Sequence, residues 1–167
     1  MKEVFIKPER CVGCKSCEIA CAVAHSSTRN LYTAMFEPDP PRKRVFACEV
    51  DGKKIALQCR HCEEPFCVRV CPTQALVKDK ESGLVIHREE LCIGCGMCQI
   101  ACPFGVISRR ANSKIIVKCD LCPDLDSPAC VEACPTKALF VDDSSIAANT
   151  KRKSVVKQLS LQEQSYL

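Results

Sequence analysis

Sixteen of the seventeen cysteines in this 167-residue chain fall into four quartets that share one spacing rule. The first quartet is Cys11, Cys14, Cys17 and Cys21, and the second is Cys59, Cys62, Cys67 and Cys71. The third is Cys92, Cys95, Cys98 and Cys102, and the fourth is Cys119, Cys122, Cys130 and Cys134. In each quartet two residues separate the first pair and three separate the last pair. Only the middle gap varies: two residues in the first and third, four in the second, seven in the fourth. So many cysteines leave two classes, a disulfide scaffold or a metal protein. The opening "MKEVFIKPERC" has no apolar h-region and no twin-arginine pair. The expectation is a cytoplasmic protein, whose thiols stay reduced and available to metal, unless a signal-bearing partner carries it out.

Three cysteines at x2 spacing wrap one corner of a cubane cluster and turn backbone N–H groups toward its sulfides. Beyond a helical turn, the fourth cysteine points away, and in two-cluster ferredoxins it ligates the other cluster. Gly13, Gly94 and Gly96 allow the backbone to approach closely. Zinc sites instead use two C-x2-C pairs set well apart, and plant-type [2Fe–2S] sites begin with an x4 gap. The spacing therefore predicts four [4Fe–4S] clusters, with a zinc-binding interaction module as the alternative of another class.

The flanks repeat as well. "CPTQALVKD", "CPFGVISRR" and "CPTKALFVDD" follow three quartets, and "EVFIKPERC", "GLVIHREELC" and "SKIIVKC" precede three. They read as short strands beside the cysteine loops. "CEIAC", "CVRVC", "CQIAC" and "CVEAC" suit single helical turns closed by proline. With no Trp, two Tyr and six Phe, the side-chain core is thin, so folding should be coupled to metal loading. The formal charge is +4, but it counts the thiols as neutral, and basic residues cluster only at "PRKR" (41–44) and "KRK" (151–153). Nucleic acid is not an expected partner. No apolar stretch is long enough to span a bilayer, so direct membrane insertion is not expected either.

The quartets, with "QCRHCEEPFC", "CIGCGMCQIACPFGVI" and "CDLC…PACVEACPTKAL", resemble the four-cluster ferredoxin-like electron-transfer subunits of molybdopterin oxidoreductases and hydrogenases. Within that family the chain is similar to the iron–sulfur subunit of formate hydrogenlyase and hydrogen-dependent carbon dioxide reductase. The carbon-monoxide-dehydrogenase-associated ferredoxin is a close relative. The resemblance covers roughly residues 1–142; Ala22 departs from it, standing where the other quartets have proline. It implies an α+β fold of two pseudo-symmetric bacterial-type (βαβ)2 ferredoxin modules with short strands and helices. An inner module would span about 55–110 and an outer module about 1–25 plus 111–142, joined by a proline-rich crossover over 26–54. Quartets can be paired in three ways, and the family fold pairs the second with the third and the first with the fourth. The implied ligand sets are Cys11, Cys14, Cys17 with Cys134; Cys119, Cys122, Cys130 with Cys21; Cys59, Cys62, Cys67 with Cys102; and Cys92, Cys95, Cys98 with Cys71. Only about twenty residues lie between Cys71 and Cys92, near the spacing of a small two-cluster ferredoxin, which agrees with that pairing.

The sequence shows no nucleophile–base set, phosphate loop or substrate-pocket motif, so a non-catalytic electron-transfer subunit is expected. The resemblance implies a formate dehydrogenase or carbon dioxide reductase and a hydrogenase as partners. The alternatives are an electron carrier for carbon monoxide dehydrogenase or another molybdopterin oxidoreductase. Cys48 in "VFACEV" reads as a buried small apolar residue on a strand. His61 reads as positioning its loop, and His25 and His87 as structural or surface residues. Arg42, Lys43 and Arg44 read equally as a solvated loop or a face for an acidic partner. The residues between Cys122 and Cys130 read as a surface loop or part of a contact. From 143 to 167 a C-terminal helical arm is expected, with a capping signal at Asp143–Ser144–Ser145. Val155, Val156 and Leu159 fall at helical spacing, with Ile146 and Ala147 before them and Leu161, Tyr166 and Leu167 after. The arm packs on its own domain or reaches a neighbouring subunit for assembly.

Overall fold

A proline placed directly after the fourth cysteine sets the length of three of the four cysteine helices. The residue before a proline is pushed out of the helical region, so a helix ends there. In a computed structural model, which describes residues 2–163, the helices before Pro72, Pro103 and Pro135 are single turns. They are α3 (Phe66–Arg69), α4 (Met97–Ala101) and α5 (Ala129–Glu132). In the first quartet Ala22 imposes no such stop, and α1 runs nine residues, Ser16–Ala24. Between α1 and the next strand lies one further short helix, α2 (Leu31–Ala34), capped by the Asn30 side chain.

The flanking segments form the short strands that their β-favouring residues predict. These are β1 (Lys2–Ile6), β4 (Leu76–Lys78), β5 (Val85–His87), β6 (Ser108–Arg109), β7 (Ile116–Val117) and β8 (Leu139–Asp143). A hairpin, β2 (Val45–Val50) with β3 (Lys53–Gln58), lies in and just beyond the stretch expected as a plain crossover. Every sheet is a two-stranded antiparallel ladder: β1–β8, β2–β3, β4–β5 and β6–β7. The first of these joins the two ends of the cysteine region, with Val4 opposite Val141 and Ile6 opposite Leu139.

Two buried cores follow from this pairing. The first contains Val4, Val45, Ala56, Ala138 and Leu139 together with Cys17, Cys21, Cys130 and Cys134. In the second, Leu76, Val85, Ile107 and Ile116 surround Cys98, with Cys67, Cys71, Cys92 and Cys102 packed against them. Thiols make up a large part of both, as the shortage of large apolar residues requires. Cys48 is on β2 as expected but is exposed rather than buried. Side chains alternate along a strand, and Val45 and Ala47 take the inward positions, which turns Cys48 outward.

The last element, α6 (Ser144–Glu163), begins where the capping signal lies. The Ser145 N–H and hydroxyl donate to Asp143 Oδ1 at 3.0 and 2.8 Å. The helix touches β8 and β1 near its start. Beyond Ala148 its described side chains, including Val155 and Val156, are exposed. The Leu159 and Leu161 side chains, and Tyr166 and Leu167 altogether, lie outside the described residues. Among the described residues no helix is long and apolar enough to cross a membrane.

Candidate iron–sulfur sites

The four cysteine loops repeat in backbone conformation as well as in sequence. The third residue of each C-x2-C step has a left-handed backbone: Gly13 (φ +69°), His61 (+46°), Gly94 (+66°) and Leu121 (+65°). The turn after each C-P does the same at Gln74 (+55°), Gly105 (+62°) and Lys137 (+52°). Left-handed backbone costs a side-chain-bearing residue about 1–2 kcal/mol. Such strain persists only where surrounding structure fixes it, and here it recurs at the same step of each loop. Glycine marks these turns in some loops and not in others, so the shared geometry is hidden at the level of residue type.

This geometry gathers the thiols into sets. Cys11, Cys14, Cys17 and Cys134 line one hollow, with Ala56 and Leu139 behind them. Cys71, Cys92, Cys95 and Cys98 line a second, backed by Leu76 and Ile116. Around Cys130, burial pushes the thiol up, and the nearby charges of Cys119, Cys21 and Cys122 push it further. Around Cys67, burial pushes the thiol up to about 11, with Cys59 and Cys102 adding to the effect. Cys59 is likewise raised by burial and by Cys62 and Cys102. Helix packing agrees, since α1 lies against α5 and α3 against α4. The hollows, the mutual effects of the thiols and the helix contacts thus join residues of the first quartet to the fourth and of the second to the third. Cys48 lies apart from them.

The sets differ in exposure. Cys14 and Cys95 are exposed, and each lies in a different hollow-lining set. Exposed apolar side chains stand close by in sequence, Val12 and Ile19 for the first and Ile93 and Met97 for the second. Cys119, Cys122 and Cys130 are buried, and burial, the largest cause, carries Cys119 to about 12.

The donor groups fit a cubane cluster. Backbone N–H groups approach sulfur at Cys21 (from Arg44, 3.2 Å), Cys59 (from His61, 3.5 Å) and Cys134 (from Ala138, 3.2 Å). Burial acts to raise Cys71 and Cys134, but hydrogen bonds from nearby backbone and from Thr73 and Thr136 outweigh it and lower both thiols. Buried thiols held close together and supplied with N–H donors would repel one another as thiolates. A bound cationic iron core removes that conflict.

Polar residues outside the quartets brace the loops, and most of them carry no recognisable signal in the sequence. Asp120 accepts from His25 Nε2 at 3.1 Å and from Arg44, and its own Oδ1 receives the Cys122 N–H at 3.1 Å. Burial opposes the Asp120 charge, but His25 and Arg44 hold its carboxyl well below the usual range. Buried Glu18 accepts the Ala47 N–H at 2.7 Å and pairs with Lys43 at 2.7 Å. Two members of the Arg42–Lys43–Arg44 run thus serve internal pairs, which corrects its reading as solvated loop or docking face. His25 and His61 are structural: His61 is buried, and its Nδ1 accepts the Val85 N–H at 3.0 Å. The residues between Cys122 and Cys130 lie at the surface, with Asp124 paired to Arg29 of the crossover at 3.0 Å. Lys118 is also buried, a charge at the end of the apolar run "SKIIVKC"; that conflict of polarity was the signal available in the sequence.

The chain matches the 4Fe-4S dicluster domain family over residues 50–144 and a 4Fe-4S binding domain family over residues 8–24. It is 40% identical over 156 residues to an "Iron-sulfur protein" of Rhodospirillum rubrum, covering 84% of this chain and 81% of that protein. It is 34% identical over 173 residues to "Electron transport protein HydN" of Escherichia coli, covering 92% and 97%. It is 37% identical over 144 residues to a polypeptide of the anaerobic dimethyl sulfoxide reductase of Escherichia coli, covering 81% and 70%. Its sixteen grouped cysteines provide for four [4Fe–4S] clusters. The chain belongs to the 4Fe-4S dicluster family and is an iron–sulfur electron-transfer protein.

Proposed function

We propose that the chain is a non-catalytic subunit that passes single electrons between a formate dehydrogenase or carbon dioxide reductase and a hydrogenase. The observation that carries the relay is the distribution of thiol sets: two include an exposed cysteine, Cys14 or Cys95, and the other two include none. Each set would hold one [4Fe–4S] cluster, which supplies a one-electron couple. The ligand sets are those expected from the family fold, in which each of two modules exchanges its fourth cysteines. The apolar side chains near Cys14 and Cys95 suit contact with partner proteins at both ends, in the reducing cytoplasm. The exposed described part of α6 suits an assembly arm.

The relatives support this reading at different depths. HydN is named as an electron transport protein, while the dimethyl sulfoxide reductase relative keeps another oxidoreductase as the second reading. Anaerobic affinity purification of the tagged protein from its own host separates them. Recovery of formate dehydrogenase and hydrogenase subunits is expected. Recovery of a different molybdopterin enzyme, or of carbon monoxide dehydrogenase, would replace the proposed pair. Truncation before Ser144 should reduce the assembled mass in light scattering; an unchanged mass would remove α6 from assembly.

A further inference from the structure

The two thiol sets without an exposed cysteine share one unusual neighbour. Lys118 is 4% exposed. Its Nζ donates to the Val85 carbonyl at 2.5 Å and to the Cys119 carbonyl at 2.6 Å. Cys119 belongs to the set with Cys21, Cys122 and Cys130. Val85 lies on the other side, where its N–H donates to His61 Nδ1 at 3.0 Å, and His61 sits between Cys59 and Cys62. The lysine thus spans the seam between the sets of Cys119 and Cys59. Among the described residues no carboxylate pairs with it, whereas neighbouring Arg44 is matched by Asp120. A buried charge without a counter-ion is costly and is tolerated where another charge compensates it.

We infer that Lys118 is a positioning residue whose charge raises the reduction potentials of the two interior clusters together. Reduction adds one negative charge to a cluster site. A nearby cation in a poorly solvated setting stabilises that reduced form more than the oxidised one. The interior pair would then accept electrons more readily than it would without the lysine.

The inference rests on the proposed ligand sets but not on the identity of any partner, so it is tested on the isolated holoprotein. Anaerobic redox titration followed by EPR is compared for the native protein, Lys118→Met and Lys118→Arg, with iron content measured on each. In Lys118→Met, two of the four clusters should fall by a factor of ten or more in their reduced-to-oxidised ratio at fixed potential, which is about 59 mV for one electron. The other two should stay in place, and Lys118→Arg should keep the native values. Four unmoved potentials, a uniform shift of all four, or an equal fall in Lys118→Arg would overturn it. Should Lys118→Met load iron poorly, Lys118→Gln keeps a donor without the charge and gives the same comparison. Wrong ligand sets would show differently, as loss of an unexpected cluster in single Cys→Ser variants.

Discussion

The first core closes around residues from both ends of the cysteine region, whereas the second assembles from one continuous stretch. In the first, β1 at residues 2–6 pairs with β8 at 139–143, and the hairpin adds Val45 and Ala56. In the second, Cys67 through Ile116 supply every member. Bringing distant segments together costs more chain entropy than closing a short loop, though the cost grows slowly with length. Equivalent thiol sets are therefore closed at unequal range. The first core is closed by the long-range β1–β8 ladder, the β2–β3 hairpin and the Glu18–Lys43 and Asp120–Arg44 pairs. The second is closed by the local β4–β5 and β6–β7 ladders and the Arg110–Glu89 pair.

Exchanging a single thiol should break this contrast most severely. Cys134→Ser removes a proposed ligand whose sulfur also accepts the Ala138 N–H in the turn leading into β8. We expect loss of the cluster held with Cys11, Cys14 and Cys17, together with loosening of both ends of the cysteine region. Iron analysis, EPR and hydrogen exchange of residues 2–6 and 139–143 would show it. Cys71→Ser should cost one cluster while leaving those strands protected. Equal loss of strand protection in both variants would erase the distinction between the cores.

Packing comes next in size. Leu139 and Leu76 are each at most 2% exposed, one in each core. Truncating either to Ala should cost about 2–5 kcal/mol in denaturant unfolding of the loaded protein. Only Leu139→Ala should also release the start of α6, which touches β8. That release is measurable as loss of amide protection at residues 144–148.

The turns give smaller effects of opposite sign. At Gly94 a Cβ would lie 2.6 Å from the Lys114 carbonyl oxygen, and the backbone is left-handed. Gly94→Ala should therefore cost about 2–4 kcal/mol and weaken iron retention by the second core. At the corresponding step before the helix, the third loop has Gly96 (φ +83°) and the first has exposed Lys15 (φ +63°). Lys15→Gly should relieve about 1 kcal/mol of backbone strain and raise the melting temperature slightly. A fall in stability would mean that unfolded-chain entropy outweighs the strain.

Much of the site was legible because cluster chemistry is written in spacing. Two residues between thiols and three before the last fix a loop followed by a helical turn, and proline fixes where that turn stops. The flanking strands were legible for a similar local reason, as short β-favouring runs bounded by turn residues. The hairpin at 45–58 was not, because its Val45 and Ala56 gain their burial from Val4 and Leu139, far along the chain. Cys48 was misplaced for the same reason: the strand was visible, but which face met the core was not. Nor did the run Arg42–Lys43–Arg44 reveal its partners, since Glu18 and Asp120 lie on other segments.

The thiol spacing, the cubane chemistry and the helical stop at each C-P pair could be read from residue order, because they depend on neighbours a few residues apart. Which cysteines reach the surface and which charges are buried beside them emerged with the folded chain. Those outcomes depend on long-range strand pairing and on desolvation. Lys118 shows the difference: in sequence it is one more basic residue before a cysteine, and in the fold it is a buried cation between two thiol sets.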